Sequence, residues 1–365
     1  MRILFGVQGT GNGHVTRCRS LARALQQQGV SVDFLFSGRP GGPWFDMEEF
    51  GAYQTRDGLT FHTAAGKVDL WQTLCRNHPL QLWQDIRALQ VGEYDRTISD
   101  FEPVTAWAGR QQQRPVLGIS HQAAFRYAIP RCGDDWLGRR IMQHYAPVSD
   151  AIGLHWFHFG FPILPPVIDS LTPAGDDGRL LVYLPFESRA AITDLFSRFG
   201  SLPVVCFHPA VSAPEQQGNL LWQPLGRTAF IHALAGCHGV VCNAGFELAS
   251  EALTLGKKLL LKPLHGQFEQ ASNALALEML GLGEVMESLN PQTLRHWLAQ
   301  EAPGQVHYPD VAAALAHWLA EGEQEPMSEL IRRLWRQVCF PETVCDRLAE
   351  LGLENGLNCD LVLNS

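Results

Sequence analysis

The sequence predicts an α/β protein with two doubly wound, Rossmann-like domains facing a central cleft. Three observations carry that reading. Short apolar runs alternate with amphipathic segments over most of the chain, which is the rhythm of a parallel sheet covered by helices. Two strand, glycine-loop, helix units stand about 230 residues apart. One is Ile3-Leu4-Phe5-Gly6-Val7 followed by Gly9-Thr10-Gly11-Asn12-Gly13-His14; the other is Val240-Val241-Cys242 followed by Asn243-Ala244-Gly245-Phe246. Finally, 365 residues, 46% hydrophobic and 18% charged, can bury a core large enough for two domains.

In the first half, residues 3–7 read as a strand, 15–28 as a helix, and 32–36, 97–99 and 116–119 as further strands. From Gly153 to Gly178 the pattern gives way to aromatics and prolines and then to Pro173-Ala174-Gly175-Asp176-Asp177-Gly178. Proline removes backbone donors, while glycine and aspartate favour turns, so a domain boundary belongs there. The expected division is an N-terminal domain 1–160, a linker 161–178, a second domain 179–326 and a tail 327–365. The alternation restarts with a strand at 180–184, a helix at 191–199, strands at 203–207 and 219–223, a short helix at 230–235 and a strand at 239–242. After the glycine turn come a helix at 246–255, a strand at 258–262 and a helix at 268–279. The tail is helical by pattern from 327 to 351 and is expected to pack back across the boundary.

Composition narrows the function. A net charge of −9 without any basic run argues against a nucleic-acid surface. Nine cysteines without a Cys-x-x-Cys pair fit reduced thiols better than a disulfide frame or a zinc site. The first apolar run is too short for a signal segment and no stretch reaches membrane-helix length, so a cytoplasmic location is expected. Trp71 and Trp83 leave room for peripheral contact with the inner face of a membrane, against the plainer reading of helix-face packing.

The richest stretch runs from Val240 to Glu251. A glycine at a strand's carboxyl end lets backbone N–H groups approach a phosphate at the following helix's positive end, which is the place of Gly245 and Phe246. Glu251, about one and a half turns into that helix, suits the two hydroxyls of a ribose. The next junction, Pro263-Leu264-His265-Gly266-Gln267-Phe268-Glu269-Gln270, lines the same crevice, because ligands of open parallel sheets gather at strand carboxyl ends. Glu269 and Gln270 suit sugar hydroxyls; His265 suits a phosphate or caps the helix. Together these residues describe a nucleotide-sugar site.

The stretch 240–273 resembles the donor-binding segment of GT-B glycosyltransferases, particularly those of the peptidoglycan N-acetylglucosaminyltransferase type. The resemblance implies Gly245 beside the diphosphate, Glu251 on the ribose, and Glu269 with Gln270 on the donor sugar. It extends to Gly9, Gly11, Asn12 and Gly13, similar to that family's glycine-rich loop facing donor and acceptor. A dinucleotide fold, with Asp33 on a ribose, is the competing reading of this loop, but it wants a small third residue where His14 stands.

A helix N-terminus favours a neutral imidazole, so His14 is suited to act as a base. Asp100, just after a predicted strand, is placed to orient it, similar to the His and Asp pair of plant-type inverting GT-B enzymes; the alternative is a helix-capping Asp100. Arg17, on the same helix face as His14, is a candidate contact for a diphosphate or anionic acceptor, or a solvated arginine. His121 is a candidate on the acceptor side, or a core residue. Asp134-Asp135 and Asp176-Asp177 sit in turn-rich contexts, and no essential metal or cofactor is expected; the nucleotide-sugar is a co-substrate. The resulting expectation is an inverting glycosyltransferase with a nucleotide diphosphate sugar donor, UDP-linked. Its acceptor, whether a sugar, lipid-linked or other small molecule, is encoded by no motif in 38–93. A non-hydrolysing 2-epimerase of the same fold and a non-catalytic nucleotide-sugar-binding protein are the rival readings.

Overall fold

A computed structural model describes residues 1–39, 44, 46–59, 63–64, 67–68, 78–132 and 144–353. Trp71 and the Asp134-Asp135 pair lie outside the described residues. Strand β1 (Arg2–Gln8) is flanked in one sheet by β2 (Ser31–Ser37), β3 (Tyr53–Arg56), β6 (Arg96–Asp100), β7 (Val116–Ser120), β8 (Asp150–Leu154) and β9 (Ile163–Leu164); β4 (Thr63–Ala64) and β5 (Lys67–Val68) form a separate antiparallel pair. The order is β3-β2-β1-β6-β7-β8-β9 and every pairing is parallel.

The second sheet contains β10 (Leu180–Tyr183), β11 (Val204–Phe207), β12 (Glu215–Gln217), β13 (Leu220–Gln223), β14 (Gly239–Cys242), β15 (Lys258–Leu261) and β16 (Glu284–Val285). Its order, β12-β13-β11-β10-β14-β15-β16, is parallel except for the β12–β13 hairpin. Both sheets therefore wind outward from a switch point, β1/β6 in one and β10/β14 in the other. At such points the loops from neighbouring strands part and leave a crevice at the carboxyl ends.

The sequence accounts for the central strands directly. Ile3, Leu4, Phe5 and Val7 are fully buried because helices cover both faces of a parallel sheet. Gly6 lets the helix Pro103–Gln111 lie close on β1, since a Cβ there would stand 2.3 Å from Oγ1 of Thr105. The first helix, Asn12–Gln27, begins three residues before the apolar pattern does, which puts His14 in its opening turn. Strand β12 escaped the sequence reading because its three polar residues are all exposed and leave no hydrophobic trace.

The chain does not end in the second sheet. Helix Val311–Ala320 packs along Asn12–Gln27 of the first half, and Arg96 pairs with Glu323 at 2.7 Å. Helix Met327–Trp335 lies against β9; there the fully buried Trp335 donates from Nε1 to the carbonyl of Ile163 at 2.6 Å and meets Phe157 and His158 edge-on. Among the described residues no helix is long and apolar enough to cross a membrane. Trp83 is exposed and has the Arg87 guanidinium stacked on its ring.

Trp335→Ala removes a buried aromatic together with its hydrogen bond, and the expected cost is about 3–5 kcal/mol. Urea unfolding checks this; a loss under about 1 kcal/mol, the worth of one hydrogen bond, would show that the tail contributes no core.

Candidate active site

Strand β6 delivers Asp100 to the first switch point as a fully buried carboxylate. The chain then turns sharply: Phe101 has φ of 53°, a left-handed conformation that costs a bulky residue roughly 1–3 kcal/mol. That turn brings Glu102, not Asp100, to the N-cap of Pro103–Gln111, where it accepts from the amides of Val104 (2.7 Å) and Thr105 (2.6 Å) and from the hydroxyl of Ser37 (2.6 Å). The capping alternative for Asp100 is thereby removed.

Asp100 instead faces His14 and Arg17. His14 Nδ1 lies 3.0 Å from Asp100 Oδ1, and Arg17 donates to both carboxylate oxygens, from Nε at 2.7 Å and Nη2 at 2.6 Å. Burial alone would raise the Asp100 carboxyl, but the guanidinium and the imidazole together hold it well below the usual carboxylate range. The thiol of Cys18 also donates to Asp100, at 3.2 Å, and burial pushes it well above its ordinary value. Arg17 is 2% exposed and its third interaction, from Nη1, goes to Glu247 on the other side of the cleft. It is committed to carboxylates within the fold, which corrects both its reading as a solvated residue and its reading as a freely offered anion contact.

On the second domain, helix Phe246–Thr254 starts at Gly245, which makes no side-chain cap; a Cβ placed there would meet no atom within 4 Å. The uncapped amides of the first turn thus open onto space suited to a phosphate. Glu251 lies one and a half turns further on, 5% exposed, with Oε1 lacking any hydrogen-bond partner among the described residues. Burial pushes its carboxyl up to about 7, against the pull of Arg227. Asn243 Oδ1, at the end of β14, is likewise buried and unpartnered.

His121 requires correction as an acceptor-side contact, and the Phe246 ring is not free for a ligand, although its amide stays in the uncapped first turn. Their rings stack at 3.9 Å with 8° between planes, and both are buried in the seam between the domains. His121 donates from Nδ1 to the Leu154 carbonyl at 2.8 Å, while Nε2 lies 2.7 Å from Asn273 Oδ1. Burial lowers its pKa, and it offers nothing to an acceptor. Gln270 is also turned inward: its Oε1 accepts from the Leu264 amide at 3.0 Å and braces the loop ahead of helix Phe268–Met279. Glu269 does face the cleft, where Gln122 Nε2 donates to both its oxygens at 3.2 Å. His265 is exposed on the same loop and has no partner among the described residues.

The N-terminal glycine loop is shaped by close approach. A Cβ at Gly9 would fall 2.1 Å from the Trp44 ring, and one at Gly13 would fall 2.8 Å from Cγ of Glu247. Gly11 is the N-cap of the first helix and has open space around it. Asn12 is held by Arg39, whose Nη2 donates to Oδ1 at 2.9 Å. Asp176 and Asp177 serve their own turn, accepting from the Gly178 and Arg179 amides.

Sequence reasoning passed over Gln122 and Glu247. Gln122 stands 3.4 Å from His14 Nε2 and links it to Glu269, yet it lies on a four-residue helix too short to show periodicity. Glu247 was visible as an acid in a helix's first turn, but nothing local points to its partner 230 residues away.

A family model described as glycosyl transferase family 1 matches residues 1–302, most of the chain. The protein belongs to that family. Among solved structures it is similar to the glycotransferase of kitacinnamycin (TM-score 0.54, 15% identity, 97% of this chain and 99% of that one). Comparable likeness holds for glycosyltransferase VinC in complex with dTDP (0.52, 15%, 95% and 100%) and for Arabidopsis thaliana UGT89C1 with UDP (0.52, 13%, 96% and 98%). No curated protein matches the sequence. This glycosyl transferase family 1 member is an enzyme that transfers sugars, and its two Rossmann-like domains form the GT-B fold.

Glu251 makes a stability prediction. Its folded pKa, about 7, lies above the ordinary 4.5, so the folded state holds the proton more tightly; the associated stability is complete below about pH 4.5 and is lost as pH rises through 7. Glu251→Gln removes that loss. The variant should match the parent near pH 4.5 and exceed it by roughly 3 kcal/mol at pH 8 in urea unfolding; identical pH dependence in both would contradict the assignment.

Proposed function

We propose that this glycosyltransferase moves a sugar from a nucleoside diphosphate sugar, UDP-linked, to an acceptor hydroxyl with inversion at the anomeric carbon. One observation carries the reading: His14 meets the buried Asp100 carboxylate through Nδ1 at 3.0 Å and turns Nε2 toward Gln122 at the cleft. Across that cleft stands the uncapped helix end at Gly245.

With its proton on Nδ1, held by Asp100, His14 takes the acceptor's proton at Nε2. The acceptor oxygen bonds to the anomeric carbon as the bond to the diphosphate breaks, and the electron pair leaves on the diphosphate. Asp100 stabilises the imidazolium that forms. The diphosphate charge meets the amides and positive end of helix Phe246–Thr254, so no metal or other cofactor is invoked. Glu251, with its unpartnered oxygen, accepts from the ribose hydroxyls, and Glu269 contacts the donor sugar. The dTDP and UDP held by the two solved neighbours support a nucleoside diphosphate donor; UDP is favoured by the peptidoglycan-type resemblance. The acceptor enters at the carboxyl ends of β6 and β7.

His14→Ala should lower turnover by about 10²–10⁴ while leaving donor affinity in place, and product NMR should report an inverted anomer. Full turnover by the variant would sink the base assignment; sugar interconversion without acceptor would replace transfer by epimerisation. Glu251→Ala should weaken UDP-sugar binding by roughly 10- to 150-fold in calorimetry, the worth of a hydrogen bond to a charged group. Unchanged affinity would remove the donor-site assignment.

A further inference from the structure

The base does not have Asp100 to itself. Arg17 Nη2 stands 2.7 Å from His14 Nδ1, the same nitrogen that lies 3.0 Å from Asp100 Oδ1. Nδ1 cannot satisfy both. With its proton on Nδ1 it donates to Asp100 and leaves Nε2 basic; if it accepts from Arg17, the proton moves to Nε2 and the imidazole can take nothing from an acceptor. The orientation of the Arg17 fork therefore decides which nitrogen is the base.

Three of the five N–H directions of that fork are fixed inside the N-terminal domain or shared with His14, through Nε and Nη2. The remaining anchor comes from the other domain: Nη1 donates to Oε1 of Glu247 in the first turn of helix Phe246–Thr254. Glu247 is itself 7% exposed and lies against Gly13, where any side chain would collide with its Cγ. The contact thus ties the first turn of the donor helix to the glycine loop. We propose that Glu247 is a positioning residue which, through Arg17, sets the proton of His14 from across the seam between the domains. The role rests on the reading of His14 as base, and Glu247 acts through the hydrogen bond it accepts from Arg17 Nη1; burial, opposed by Arg17, raises its carboxyl.

The test is a double-mutant cycle with Glu247→Ala and Arg17→Lys, read as kcat and donor KM separately, with Glu247→Gln as the variant that keeps the acceptor oxygen. Glu247→Ala should lower kcat by about tenfold or more with donor KM changed less than about threefold, Glu247→Gln should recover most of the loss, and the effect should vanish in the Arg17→Lys background. Independent losses in the two single variants, or a change confined to KM, would overturn the proposal. Nitrogen-15 shifts of the His14 ring give a readout apart from activity: Glu247→Ala should change the tautomer populations, and an unchanged ring spectrum in a folded variant also overturns it. His14→Ala separates the two layers. If it retains turnover, the base reading itself has failed; if it is inactive while Glu247 and Arg17 act independently, the coupling alone has failed.

Discussion

A carboxylate at zero exposure must be answered by cations or it will not stay ionised, and Asp100 is that carboxylate. The guanidinium of Arg17 answers it with two parallel hydrogen bonds, the geometry that suits a planar fork best. Much of the cleft follows from this pair. Helix Asn12–Gln27 must begin early enough to bring Arg17 inward, which carries His14 into the first turn; β6 must end where it does, and the strained turn at Phe101 then lets Glu102 cap the next helix. Removing either partner would strand the other charge in the interior, so the fork is a structural requirement before it is a catalytic device.

The same economy joins the domains. Phe246 and His121 stack in the seam, Asn273 joins His121 to the Ala244 carbonyl, and the indole of Trp156 donates to Ser250 at 2.9 Å. Asp169 of the linker holds Arg23 of the first half at 2.7 Å and Arg227 of the second at 2.5 Å. Arg17–Glu247 and Gln122–Glu269 add two further links between the halves beside His14. The seam fixes the relative placement of the two sheets.

The central strands and both glycine turns were legible because buried parallel strands are written as unbroken apolar runs and the turns as glycine. His14 and Asp100 could be paired from sequence because each stands at a strand's carboxyl edge, where topology gathers ligands. What was not legible depends on distance along the chain. The orientation of Phe246 and His121 is set by an aromatic stack between residues 125 positions apart, and Glu247 finds Arg17 across 230. Local periodicity says which face of a helix is buried but not which domain it is buried against. The edge strand Glu215–Gln217 failed for the opposite reason, being polar throughout and held by its neighbour's backbone.

The path of the tail has a mechanical consequence. The chain passes between the halves first through the linker around Asp169 and again near Val306 to Tyr308, where Val306 still bonds the Leu253 carbonyl while the Tyr308 hydroxyl donates to the Trp156 carbonyl at 3.1 Å. Separating the two halves therefore means breaking contacts at both crossings and not at one.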